Sequence, residues 1–143
     1  MRLILNKEFI TEIYNRHTGS VQFYRRSYCE HLIYTEGILD FQKTLNAFWF
    51  VDCIISNLPQ IIFTAKAVDD GFFIVKIKVN KKENNGILEI YREGYVNNKY
   101  SEHITVFKQI IPDIDLIPYD YKFYLILTNI EPVIFTLLLP SEY

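Results

Sequence analysis

At 143 residues the chain has room for one domain, residues 1–143, and half of it is hydrophobic against 22% charged, which excludes a disordered chain. Fifteen Lys plus Arg against 17 Asp plus Glu give a net charge of −2, so the general positive field of a protein that coats nucleic acid is missing. Two cysteines, Cys29 and Cys53, exclude a disulfide-stapled scaffold and fit reduced thiols in a cytoplasmic protein.

From the N-terminus, Leu3, Ile4 and Leu5 are too few for the apolar run of a signal peptide, and no later apolar stretch approaches the roughly 18–20 residues that span a bilayer. In residues 7–16, Phe9, Ile10, Ile13 and Tyr14 recur on one helical stripe; Asn6 could cap its start, and Gly19 lies just past its end. Residues 21–34 fit a short strand or an ordered loop equally well, because Arg25 and Arg26 interrupt an aromatic-rich run. Thr35 can cap a short helix carrying Ile38, Leu39, Phe41 and Leu45.

Asn46 can cap a second helix over residues 47–57 that stops before Pro59. Apolar nearly all round, with Asp52 its one charge, this helix is expected to be the buried centre of the molecule.

From residue 61 the period shifts toward 2. Phe73, Val75, Ile77 and Val79 make one face of a strand, and Phe72, Ile74, Lys76 and Lys78 the other. Asn84, Asn85 and Gly86 supply a hairpin turn before a strand over residues 87–92. Three more strands follow at residues 104–111, 121–128 and 133–139, with Pro112, Pro118 and Pro132 marking the breaks. The expected fold is α+β, an antiparallel meander of about five strands with the buried hydrophobic helix and shorter helices on one face.

Several stretches together resemble a known family. They are His17-Thr-Gly-Ser20, Phe23-Tyr-Arg25, Leu32-Ile-Tyr-Thr-Glu-Gly37, Ala47-Phe-Trp-Phe-Val-Asp52 and the terminal Leu138-Leu-Pro-Ser-Glu-Tyr143. They look like an uncharacterised bacterial domain-of-unknown-function family with a YTDG-like turn, an AYWLLD-like helix and a chain end reading LLPSEY. The resemblance implies a bacterial, mobile-element setting and passes on no catalytic or binding residue.

Chemistry has few footholds. Glu36 and Asp52 are the weak catalytic candidates, since a carboxylate on an apolar helix is desolvated and its pKa raised toward a useful range; pairing of Asp52 with an arginine is the competing structural reading. His17, His31 and His103 with Cys29 match no zinc module, so no metal and no cofactor is expected. Lys76, Lys78, Lys81 and Lys82 beside Phe72 read as a solvated strand face, which leaves nucleic acid an unfavoured ligand.

Charge is uneven along the chain. Residues 1–108 carry 14 basic and 12 acidic groups (+2), and residues 109–143 one basic and five acidic groups (−4). Asp113, Asp115 and Asp120 therefore mark a candidate partner-binding surface.

Two functions follow as expectations. The first is a non-catalytic protein-binding or inhibitory protein, such as a phage- or plasmid-encoded factor that blunts a host defence through its acidic surface. The alternative is a small hydrolase or nuclease whose carboxylates and histidines meet only in the fold.

Overall fold

The computed structural model describes residues 22–143. The helix expected at residues 7–16, its Asn6 cap and His17 lie outside the described residues. Seven strands form one sheet: β1 (Phe23–Tyr24), β2 (Leu32–Thr35), β3 (Phe72–Asn80), β4 (Asn85–Val96), β5 (Lys99–Pro112), β6 (Tyr121–Asn129) and β7 (Ile134–Leu138). Their spatial order is β1-β2-β7-β6-β3-β4-β5. Helices α1 (Glu36–Thr44), α2 (Trp49–Ser56) and α3 (Leu58–Val68) lie between β2 and β3 in sequence. The α+β class stands, with more strands than the five expected.

The topology is more than a meander. β3, β4 and β5 are consecutive antiparallel neighbours, but β6 returns to pair with the other side of β3, and β7 pairs parallel to β2 through Leu32↔Phe135 and Tyr34↔Leu137. A parallel pair needs a long crossover, here nearly the whole chain, which local periodicity cannot register.

Alternation decides the core. Phe73, Val75 and Ile77 of β3, Leu88 and Ile90 of β4, Tyr121, Phe123 and Leu125 of β6, and Phe135 and Leu137 of β7 all point to one side and are buried. They join Ile38, Phe41, Phe50, Val51, Ile54 and Ile61 of the helices in one cluster. Phe41 and Phe123 meet edge to face at 5.0 Å, and Phe50 and Phe123 lie 4.4 Å apart, so aromatic packing joins α1, α2 and the sheet.

The helices depart from expectation at three points. Thr35 caps α1 as read, its Oγ1 accepting from Ile38 N–H at 3.4 Å. Asn46, however, ends α1 and does not start α2: its φ of 52° is left-handed, and Ala47 N–H bonds back to Gln42 C=O at 2.9 Å.

Next, helix resumes where a break was read. The chain bends 52° between α2 and α3 at Asn57, and Pro59 falls in the first turn of α3, where its missing N–H has no intrahelical duty. The period-2 reading from residue 61 is thereby corrected to begin at Phe72. Among the described residues no single helix is long and apolar enough to cross a membrane.

Finally, α2 is buried on one side only. Phe50, Val51 and Ile54 are enclosed, Trp49, Cys53 and Ile55 half-buried, and Asp52 exposed. An apolar sequence this short says nothing about which side faces out.

Candidate functional site

Arg26, in the loop joining β1 to β2, gathers the polar side chains nearest Asp52. Its Nη1 donates to Tyr34 Oη at 2.9 Å, its Nη2 to Gln42 Oε1 at 2.7 Å and to Phe48 C=O at 3.2 Å, and its Nε to Asp52 Oδ1 at 3.3 Å. The guanidinium also lies over the Tyr34 ring at 5.5 Å and the Phe48 ring at 6.0 Å. Five donors in a planar fork can do this; a lysine could not. The Arg26 side chain is 19% exposed, and Gln42 is buried with its carbonyl on the guanidinium and its amide donating to Ile38 C=O at 3.3 Å.

Asp52 completes the cluster from outside. Its side chain is 54% exposed, and its Oδ1 accepts from both Arg26 and the Tyr28 hydroxyl. That hydrogen bond raises the pKa of the Tyr28 phenol above its ordinary value, because ionisation would remove the proton Asp52 accepts. Glu36 stands in the first turn of α1, half-buried, and no hydrogen bond or ion pair joins it to Asp52. The structure therefore brings Asp52 to an arginine and a tyrosine and leaves the two carboxylate candidates apart. Arg26 and Tyr28 were missed as partners because the segment that carries them has no period.

Cys53, beside Asp52, faces the sheet edge, and its Sγ lies 3.2 Å from Gln109 Oε1. Burial pushes the thiol up to about 11, so it stays protonated near neutral pH and is a poor nucleophile. Cys29 is buried and His31 exposed, with His31 Nδ1 2.7 Å from Val133 C=O. The two do not share a strand face, because β2 begins only at Leu32. Among the described residues no group of three or more His, Cys, Asp or Glu side chains converges as a metal ion would require.

The third histidine belongs to β5. His103 stacks on Tyr91 at 3.9 Å and its Nε2 lies 2.9 Å from Glu89 Oε2, which also accepts from Thr105 Oγ1 at 2.6 Å. Burial alone would raise the Glu89 carboxyl; hydrogen bonds from Thr105 and His103, with the charges of His103 and Lys108, outweigh it and hold the group below the usual carboxylate range.

The acidic candidates lie on the loop between β5 and β6. Asp113, Asp115 and Asp120 are all exposed, while Ile114 and Leu116 between them plug into the core. The loop is pinned by its apolar residues and turns its carboxylates outward.

Elsewhere the surface shows a feature that composition hid. β3 pairs with β4 only between Ile74↔Tyr91 and Asn80↔Asn85, so beyond Tyr91 the strand β4 runs on with β5 alone. The result is a two-stranded arm closed by Asn97 and Asn98, both with left-handed φ. Tyr95 and Tyr100 on this arm are 71% and 53% exposed, and their rings meet edge to face at 5.5 Å.

The terminal motif also acquires a role. Glu142 accepts from Thr35 Oγ1 at 2.7 Å, Leu139 N–H at 3.0 Å and Gly37 N–H at 3.2 Å, fastening the chain end to the start of α1. Tyr143 then packs edge-on against Phe72 and Tyr124, at 5.7 and 5.6 Å.

Comparison with known proteins supplies the family. Residues 8–143 match the family of unknown function DUF6876. The chain belongs to that family. No curated protein and no solved structure matches it. The DUF6876 match covers Arg26, Asp52, the β4–β5 arm and the Glu142 latch alike.

Proposed function

We propose that the protein is a non-catalytic binding protein that captures a partner protein through the β4–β5 arm. The observation that carries this reading is the exposed tyrosine pair, Tyr95 and Tyr100, on a hairpin that outruns the rest of the sheet. Tyrosine brings a large apolar ring with a polar tip and few rotatable bonds, the combination enriched at the energetic centres of interfaces. Tyr100 is further restrained by its hydroxyl, which donates to Glu93 Oε2 at 2.8 Å. A restrained ring loses less freedom on binding.

The acidic loop supports the same reading from the other end of β5. Asp113, Asp115 and Asp120 would steer a basic partner and speed encounter without adding much to the docked affinity. An arm laid across a partner's working surface inhibits that partner without any chemistry. The narrower reading, a phage- or plasmid-borne factor against a host defence, gives the arm a host protein as its target.

Affinity capture from the source cells tests this, with the intact chain, a Tyr95→Ser/Tyr100→Ser pair and an Asp113→Asn/Asp115→Asn/Asp120→Asn triple as baits. A protein held by the intact chain and lost by the tyrosine pair is the expected result, with a smaller loss for the triple that shrinks at high salt. Capture indifferent to the arm, or no capture at all, would overturn the proposal.

A further inference from the structure

Within residues 47–52 the core claims Ala47, Phe50 and Val51, which are enclosed, and Phe48 lies beneath the Arg26 guanidinium. Trp49 and Asp52 remain, the first half-buried and the second exposed. Three apart on α2, they share one side of the helix, which Ser56 continues one turn on. Together these three wall a hollow of about 330 Å³ against Gln109, Ile111 and Pro112 at the end of β5.

The hollow is rich in acceptors. Both partners of the Asp52 carboxylate, Arg26 Nε and the Tyr28 hydroxyl, sit on Oδ1, and no bond to Oδ2 is found among the described residues. The Ser56 hydroxyl gives its hydrogen to Asp52 C=O at 2.9 Å, which leaves its oxygen able to accept. Gln109 Oε1 receives only the weak donor Cys53 Sγ. Among the described residues no Lys, Arg or His lines this hollow.

The inner side of the same carboxylate shows what its outer side can hold. There the Arg26 guanidinium lies over the Phe48 ring at 6.0 Å while its Nε bonds Asp52 Oδ1 at 3.3 Å, a cation shared between an aromatic face and an acid. Trp49 and Asp52 repeat that pair of groups one residue along the helix, and indole is the best of the aromatic faces for a cation.

We infer that this hollow takes an arginine side chain of the partner protein, its guanidinium stacked on Trp49 and bonded to Asp52 Oδ2, its methylene stem along Ile111 and Pro112. The partner rests on the binding function proposed above; the hollow does not. Asp113 and Asp115 follow Pro112 by one and three residues, so the charges that steer a basic partner adjoin the hollow's wall in the chain. Arg26 offsets the charge of Asp52, so long-range attraction falls to the loop and Asp52 supplies direction.

Arginine suits the site better than lysine, because a planar fork stacks on a ring and bonds a carboxylate at once. The volume lies at the small end of ligand pockets and matches one side chain better than a cofactor. Nucleic acid is a poorer occupant, since the carboxylates of the loop repel a phosphate backbone.

Trp49 is the one tryptophan of the chain, so its fluorescence reads the site directly. Titration of the full chain with acetyl-Gly-Arg-Gly-amide should give a saturable change at millimolar concentration. The citrulline peptide, of the same shape without the charge, should bind about tenfold more weakly or worse. Asp52→Asn should weaken the arginine peptide about fivefold or more, and Gln109→Lys, which sets a cation on the opposite wall, should abolish the change. Circular dichroism confirms that each variant is folded, and Glu83→Gln, in the turn after β3, should bind as the parent does.

No saturable change, equal binding of the citrulline peptide, or indifference to Asp52→Asn overturns the inference. The arm is read independently, because Tyr95→Ser/Tyr100→Ser should bind the peptide as the parent does. A chain that captures its partner through the arm and ignores the peptide loses the arginine site alone. One that binds the peptide and captures nothing keeps the arginine-binding hollow, and only its assignment to a partner protein falls with the binding function.

Discussion

Arg26 Nε and Asp52 Oδ1, 26 residues apart in sequence, meet at 3.3 Å and join the β1–β2 loop to α2. The two partners contribute unequally to stability. Arg26→Ala strips bonds from Gln42 Oε1, Tyr34 Oη and Phe48 C=O and leaves a buried amide carbonyl without its donor, which should cost about 2–4 kcal/mol. Asp52→Asn removes only a half-exposed charge and should cost less than about 1 kcal/mol. Urea titration of the two variants measures the difference; equal losses would show that the ion pair, and not the buried hydrogen bonds, holds the loop.

Glu142 and Gly37 provide a second coupled pair. A Cβ added to Gly37 would come within 2.7 Å of both Glu142 Cδ and Leu139 Cδ1, closer than real side chains approach. Gly37→Ala and Glu142→Ala should each destabilise by about 1–3 kcal/mol, the first by displacing the carboxylate and the second by removing its bonds to Thr35 Oγ1 and two backbone N–H groups. Because both break the same latch, the double variant should fall short of the sum by about 1 kcal/mol. Thermal or urea unfolding of the four chains closes the cycle, and strict additivity would deny the coupling.

Much of this architecture was written locally, and what was not follows a pattern. Alternation at Phe73, Val75 and Ile77, the Thr35 cap and the strands flanking Pro112, Pro118 and Pro132 are all carried by neighbouring residues, and all are found. The misreadings arose where a residue type serves two geometries. Asn46 suits a helix start and a left-handed helix end equally, and Pro59 suits a break and a first turn.

The candidate site was less legible still. Asp52 and Arg26 lie 26 residues apart and meet only where the β1–β2 loop lies against α1 and α2. The arm went unseen for a different reason: the sequence marks where a strand ends, but not whether its neighbour ends with it. Asp113, Asp115 and Asp120 are exposed, since Ile114 and Leu116 alternate with the first two of them and claim the inward positions.

The Cys53 thiol predicts an alkaline limit. Its pKa is raised from 9.0 to about 11 in the folded chain, so between those values the unfolded chain gives up a proton that the folded chain keeps. Stability from this group is complete below pH 9.0 and falls as pH rises toward about 11. With the thiol only partly enclosed, the loss should be about 1 kcal/mol. Tyr121, buried and with its pKa also raised by burial, adds its own decline at higher pH in every variant. Cys53→Ala isolates the thiol: its stability against pH, measured by urea unfolding, should run flatter than that of the parent from pH 9 to 11, and parallel curves would count against the burial effect.

The arm's own turn supplies the last prediction. Asn97 and Asn98 are the two central residues of a two-residue hairpin loop, with φ of 53° and 64°, and Val96 pairs directly with Lys99. Two consecutive left-handed residues make the turn whose twist matches the strands it joins, and glycine is the favoured residue at the second position. Asn98→Gly should therefore hold or tighten the arm, raising stability by up to about 0.5 kcal/mol, whereas Asn98→Val, β-branched at a left-handed φ, should loosen it by about 1–2 kcal/mol. Amide exchange at Tyr95, Val96, Tyr100 and Ser101 reads the arm separately from the core. Slower exchange in the glycine variant and faster exchange in the valine variant, with Phe73 and Phe123 amides unchanged, is the expected result. If the arm is the docking element, the same two variants should move partner affinity in the same order, because a preorganised hairpin has less freedom to lose on binding.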